Sequence, residues 1–353
     1  MRANSRVFLP LMALTVAACG PFGTSTASSS PAPAKLSQPD LVAKVQKSTV
    51  QLIGKQGSST LGGSGVIVDS GKGLVLTNAH VVTGLSTLRI QFDDGTDSPG
   101  QVIAKNPCDD MAVVKIVNKP DNLQALTIGD STAVRAGDHV TAIGYPESLA
   151  SGKSKPSATE GSVSTADVAA EPDPSLPKYT SLIQHQAPIN PGNSGGPLVN
   201  DKAELIGINT LGNTLQGQRI IQGQSYSISS KKIRADLPDL ENSKSSNDVG
   251  WDILPTDQTL IDAVHALGGG FSTDATQKGM FVAGVDTGSP ADEGKVVAGN
   301  EVYNLEGTSV KTYQQVCDIL ESHAPGQSVS AEAYQTFTSD NTLTLETHTI
   351  KLR

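Results

Sequence analysis

Three short stretches of this chain carry residue types that together do nucleophilic chemistry. The first is GNSGG at 192–196, a serine set between glycines. The second is TNAHVV at 77–82, where His80 follows an apolar run. The third is DDMAVVKI at 109–116, where Asp110 stands immediately before another apolar run. A serine hydroxyl attacks a carbonyl well only when an imidazole takes its proton and a buried carboxylate fixes the imidazole tautomer. His80 is thus expected as general base, Asp110 as its orienting acid and Ser194 as nucleophile. The amides of Gly192 and Ser194 would receive the developing oxyanion, and glycine at 192 clears bulk where a carbonyl must approach. Asp109 competes for the acid role. His185 competes as base, but no acid lies near it in sequence.

GNSGG also fits the G-x-S-x-G elbow of α/β-hydrolases, and context rejects that reading. The elbow serine opens a helix, with its acid and histidine later in the chain. Ser194 is instead followed by GGPLVNDKAELIGINT, a hairpin pattern, and the histidine and aspartate come first. The order histidine, aspartate, serine matches the trypsin-like double β-barrel.

The elements that would position these residues are strands. From about Leu41 to Ile233, short apolar runs such as GVIV at 65–68, LVLT at 74–77 and HVTAIG at 139–144 alternate with Gly, Asp, Asn and Pro turns. That pattern predicts a mainly β barrel or sandwich domain. The polar stretch 147–178 reads as surface loops around a strand near Ala158–Val168. LPDLENSKSSNDVG at 237–250 has little apolar content and reads as a linker. Beyond it lie two helix starts, Ser289-Pro290 and the capping box Thr312-x-x-Gln315, with Pro325-Gly326 ending the second helix. Tyr313, Val316, Cys317 and Leu320 share one face of that helix. A smaller α+β domain is expected there.

The N-terminus has Arg2 and Arg6, an apolar stretch over 7–18 and small residues before Cys19. It reads as an export signal too short to span a bilayer, and Val16-Ala17-Ala18-Cys19 resembles a bacterial lipobox with Cys19 lipidated. The divisions are therefore 1–18 signal, 19–37 lipidated cysteine and flexible tether, 38–235 barrel domain, 236–247 linker and 248–353 α+β domain. Cys108 and Cys317 could pair in an oxidising compartment, but two part-buried free thiols are the expectation. A net charge of −9 and no Lys/Arg run argue against nucleic acid. The six histidines are scattered, no His or Cys pair has metal-site spacing, and no metal or cofactor is expected.

TNAHVV, DDMAVVKI and INPGNSGGPL, with GSGVIV, AIGYP and GINT, make the chain similar to the HtrA/Deg family of bacterial serine proteases, over nearly all of its mature length. The resemblance implies two perpendicular six-stranded barrels with the active site between them, and its Asp-[Leu/Met]-Ala-Val pattern selects Asp110 over Asp109. It implies an endopeptidase acting on unfolded or misfolded envelope proteins, which the lipidated Cys19 would tether outside the cytoplasm. A regulatory protease cleaving one partner and a non-catalytic holdase are the rivals. The family has aspartate where Gln186 stands. With Ala187, Pro188, Ile189, Asn209 and Thr210 as the primary pocket, cleavage after small aliphatic residues is expected. Residues 248–353 resemble a PDZ domain, whose peptide groove would use Gly250, Trp251, Ile253 and Tyr313 to take peptide C-termini. Asp252 replaces the family's glycine and would repel a carboxylate, so a purely structural or regulatory domain competes. Family members often form trimers through aromatic residues, yet none lies between Phe22 and Phe92 here.

Overall fold

The computed structural model describes residues 36–56, 59–85, 87–146, 155–170, 174–212, 215–216, 219–220, 223–258, 260–262, 279–335 and 344–353. The expected export signal, Cys19 and most of the expected tether lie outside them. No described helix is long and apolar enough to cross a membrane.

Strands β1 (Thr49–Gln56), β2 (Ser59–Asp69), β3 (Leu74–Thr77), β4 (Thr87–Gln91), β5 (Asp97–Asn106) and β6 (Met111–Ile116) close an antiparallel barrel in the order 1-2-3-6-5-4. Strands β7 (His139–Gly144), β8 (Ser157–Ala170), β9 (Tyr179–His185), β10 (Pro197–Val199), β11 (Leu205–Leu211) and β14 (Ser225–Ser229) close a second, in the order 10-11-14-9-8-7. A small hairpin, β12 (Leu215–Gln216) and β13 (Arg219–Ile220), stands apart. The fold is the expected trypsin-like double barrel.

The near-continuous apolar runs of these strands have a direct cause. Successive side chains point to opposite faces, and here both faces are buried. Leu74, Leu76, Met111 and Val113 join one core that also takes Ile143, Leu182, Leu205 and Ile208 of the second barrel. The alternating Val75, Ala112 and Val114 pack into a separate core with Val50, Leu52 and Ile67 of the first barrel. Ala142, Ile183, Leu198 and Ile206 do the same in the second. One shared core therefore fixes the barrels against each other, which sets the cleft between them.

Two helices seal that shared core. α1 (Gln38–Gln46) starts at Ser37, whose hydroxyl accepts from the Asp40 amide, and buries Leu41 and Val45 one turn apart. α2 is the short Ala79–Val82 turn. α3 (Ser230–Glu241) is capped by Ser229 and buries Ile233, Leu237 and Leu240. Each such side chain contributes roughly 1.5–3 kcal/mol. The expected 236–247 linker is therefore helical through Glu241. Leu237 and Leu240 continue the helical spacing begun by Ile233, and polar neighbours on the outer face dilute the signal.

Strands β15 (Trp251–Pro255), β16 (Met280–Val285), β17 (Asn300–Leu305), β19 (Ser328–Gln335) and β20 (Leu345–Lys351) form the C-terminal sheet in that order, with β18 (Thr308–Ser309) beside β17. α4 (Pro290–Glu293) and α5 (Tyr313–Glu321) begin at Ser289 and Thr312, both with side-chain caps, and Thr312 and Gln315 form the expected capping box. α5 stops at Glu321, four residues before Pro325-Gly326, because Ser322 already closes it with its N–H on the Ile319 and Leu320 carbonyls. Val316, Cys317 and Leu320 are its buried face.

The C-terminal domain is fastened to the first barrel. Cys108 and Cys317 form a disulfide across 209 residues, with Cα atoms 5.5 Å apart, so the expectation of free thiols is overturned. Nothing local predicts it, since the pairing exists only once α5 lies against the Pro107–Asp109 turn. Lys105, nearly buried, pairs with Asp286 at 2.7 Å and Asp248 at 3.6 Å.

Candidate active site

β3 ends at Thr77, and Asn78 turns the chain into α2, which places His80 at the barrel rim with 44% of its side chain exposed. Asp110 follows the Pro107–Asp109 turn in the left-handed region, φ 52° and ψ 44°, and the Asn78 amide donates to its carbonyl at 3.0 Å. Asp is among the few L-residues that tolerate this conformation. The turn aims the carboxylate inward, where Asp110 is only 3% exposed. His80 Nδ1 lies 2.9 and 3.0 Å from its two oxygens, and the His80 backbone N–H donates to Oδ1 at 3.1 Å. Thr210 Oγ1 donates to Oδ2 at 2.8 Å, and the Tyr179 hydroxyl donates to it at 3.1 Å.

Electrostatics follow from this cage. Burial pulls the His80 pKa down, but the charge and hydrogen bond of Asp110 outweigh it and hold the imidazole above its usual 6.5. Burial pushes Asp110 up, but the His80 charge and bonds and the Thr210 hydroxyl hold it below the usual range. Tyr179 is kept firmly protonated, by burial first and then by the neighbouring Asp110 charge. It is therefore a hydrogen-bond donor to the carboxylate.

Ser194 lies across the cleft on the loop between β9 and β10. Gly192 (φ +92°) and Gly195 (φ +83°) adopt a backbone that L side chains rarely take. A Cβ at Gly195 would also strike the Ser64 carbonyl and Thr77 Oγ1. The loop is held from both barrels. Ser64 Oγ donates to the Gly192 carbonyl at 2.6 Å, and the Ser64 N–H donates to the Ser194 carbonyl at 2.8 Å. From β11, the Asn209 carbonyl accepts the Gly195 N–H at 2.8 Å. Among the described residues, no hydrogen bond within the protein engages the Gly192 or Ser194 N–H. The Ser194 hydroxyl donates to the Thr210 carbonyl at 3.3 Å, and no hydrogen bond joins it to His80.

The competitors sit elsewhere. Asp109 pairs with Lys232 at 2.8 Å and Asn106 at 2.7 Å. His185 is fully buried, and its Nε2 lies 3.0 Å from Ser227 Oγ, a hydroxyl already donating to Asn209 Oδ1. Nε2 is therefore a donor, and burial pushes the His185 pKa down to about 4. Of the pocket candidates, Ala187, Ile189, Asn209 and Thr210 are buried and Pro188 is exposed. Asn209 spends its amide on the Ile143 and Pro197 carbonyls. Gln186 accepts from Ser162 Oγ at 2.9 Å. In the C-terminal domain, Trp251, Ile253 and Tyr313 line one cavity together with His80 and Asp110, while Gly250 lines a different one beside Asp286 and Ser289. Among the described residues no His, Cys, Asp or Glu cluster is arranged to hold a metal.

Sequence reasoning missed Ser64, Thr77 and Tyr179. The serine between Gly63 and Gly65 within an apolar strand was a usable signal. Tyr179, 69 residues from its carboxylate partner, left none.

The two barrels and the residues between them make a trypsin-like peptidase domain, and residues 63–208 match the family model of that name. Relatives sharpen this. The periplasmic serine endoprotease DegP of Salmonella typhimurium is 34% identical over 251 residues, 71% of this chain and 49% of that protein. The serine protease Do-like HtrA of Bacillus subtilis is 30% identical over 268 residues, 74% of this chain and 58% of that protein. The chain thus spans about half the length of the curated relatives it matches. A solved structure of the HtrA-type protease AlgW with tripeptide covers 90% of this chain and 98% of its own, with TM-score 0.53 and 27% identity. In fold and sequence the chain is thus similar to HtrA-type serine proteases.

Proposed function

We propose that this chain is an extracytoplasmic serine endopeptidase of HtrA type that cleaves unfolded or misfolded proteins. The observation that carries the reading is the buried, four-fold hydrogen-bonded Asp110 on His80 Nδ1, which leaves Nε2 as the basic nitrogen facing the cleft. His80 takes the Ser194 proton as Oγ attacks the scissile carbonyl. The oxyanion is received by the Gly192 and Ser194 amides, worth about 10²–10³ in kcat per donor. His80⁺ then protonates the leaving amine, and water resolves the acyl-enzyme by the same steps in reverse.

Ala187, Pro188, Ile189, Asn209 and Thr210 supply no charge to the primary pocket, which favours small aliphatic residues before the scissile bond. Cys19 carries the lipid that tethers the chain to a membrane. Cleavage of casein by the wild-type chain and its loss in Ser194→Ala tests the peptidase reading. Absence of cleavage by both would favour a binding role instead. A regulatory protease is the second reading, and the cavity shared by His80 and the PDZ-like groove residues favours it. Stimulation of cleavage by added C-terminal peptides would separate it from constitutive quality control.

A further inference from the structure

A cavity of about 270 Å³ opens directly on His80 and runs between the first barrel and the C-terminal sheet. Its lining includes Leu61 of β2, Leu176 of the β8–β9 connection and, from the C-terminal domain, Trp251, Leu254 and Tyr313. Leu61 and Leu254 are 40% and 41% exposed, two of only a few large apolar side chains left so accessible among the described residues. They come from different domains and face one cavity whose floor is the general base. Exposed apolar groups brought together in this way mark a binding surface.

The two walls are fixed in register. The Cys108–Cys317 disulfide ties α5 to the turn just before Asp110. The Tyr313 N–H donates to the Pro174 carbonyl at 2.7 Å, and Lys105 bridges to Asp286 and Asp248. A substrate chain engaged by Ser194 and His80 advances about 3.3–3.6 Å per residue. His80 belongs to both the cavity lining and the reacting centre, so the substrate positions next to the scissile bond are the ones nearest the cavity. An apolar cavity of about 150 Å³ already holds benzene, so there is room for a bulky side chain. Asp252 and Asp110 on the lining disfavour an acidic one.

We propose that β15 of the C-terminal domain is a wall of the substrate cleft, and that Leu61, Leu254 and Trp251 select a bulky apolar side chain flanking the scissile bond. This rests on the peptidase reading of His80, Asp110 and Ser194. The occupant is the substrate itself, because the cavity is continuous with the catalytic base.

The test uses internally quenched peptides varied at each position on both sides of the cleavage site, with the wild-type chain, Leu254→Ser, Leu61→Ser and Leu254→Phe. At one flanking position the wild type should prefer Leu or Phe over Ala by about tenfold in kcat/KM. Each serine variant should cut that preference at least threefold, with the loss of kcat/KM concentrated on the Leu and Phe peptides. Leu254→Phe, which fills the cavity mouth, should shift preference toward smaller side chains, and a merely structural role would not produce that reversal. Identical preferences in all four proteins, or a uniform fall across all peptides, would overturn the proposal. A wild type that cleaves no peptide and no casein would instead bring down the peptidase reading beneath it.

Discussion

Ser64→Ala is the substitution whose consequences the structure specifies most closely. Ser64 is fully buried, accepts the Tyr145 N–H at 2.8 Å and donates to the Gly192 carbonyl at 2.6 Å. Alanine strands one N–H and one C=O, each costing about 1–3 kcal/mol when buried without a partner. The oxygen-sized void is smaller than the roughly 30 Å³ share of a water molecule, so solvent cannot replace the hydroxyl. The available relief is rotation of the Gly192–Asn193 peptide, which displaces the flanking amides that receive the oxyanion. Complete loss of one donor costs about 10²–10³ in kcat. A misaimed pair should cost less, about 10- to 100-fold, with KM changed by less than about threefold and stability lowered by about 2–4 kcal/mol. Steady-state kinetics on a quenched peptide and urea unfolding measure both quantities. A variant that loses the stability but keeps kcat within twofold of wild type would refute the link between Ser64 and the oxyanion loop.

Because Asp110 raises the His80 pKa, the acid limb of kcat/KM should fall above the ordinary imidazole value of 6.5. Asp110→Asn should move that limb down and reduce kcat about 10⁴-fold, read from pH–rate profiles. The same pair makes stability pH-dependent in two windows. The Asp110 contribution, present above the ordinary carboxylate pKa, is lost as pH falls through its depressed folded value; the His80 contribution, present below 6.5, is lost as pH rises through its elevated one. His185, held neutral to about pH 4, should make the protein less stable as pH falls from 6.5 toward 4, and His185→Gln should flatten that part of a melting-temperature series. Reducing Cys108–Cys317, which closes a span of 209 residues, should destabilise the chain by up to about 5 kcal/mol in the loop-entropy account. Unfolding with and without dithiothreitol, beside Cys317→Ser, measures it, and no difference would mean that the bond leaves the unfolded state unconstrained.

The chemistry was legible in the sequence because it is written locally. The serine needs two glycines beside it for positive φ and close approach, the aspartate must directly precede a strand, and the histidine must directly follow one. Helix starts at Ser289 and Thr312 were legible for the same reason, since a cap spans three or four residues. Strand existence was legible too, as apolar runs punctuated by turns.

What tertiary structure alone decided involves partners far apart in the chain. Ser64 and Gly192 are 128 residues apart, and Thr210 and Asp110 are 100 apart. The Cys108–Cys317 bond and the wall that β15 places beside His80 likewise depend on how finished domains pack. A residue's type and neighbours set its own backbone conformation, so a motif can announce a nucleophile. They carry no record of which distant hydroxyl will orient it, because that contact exists only after two barrels have buried a common core.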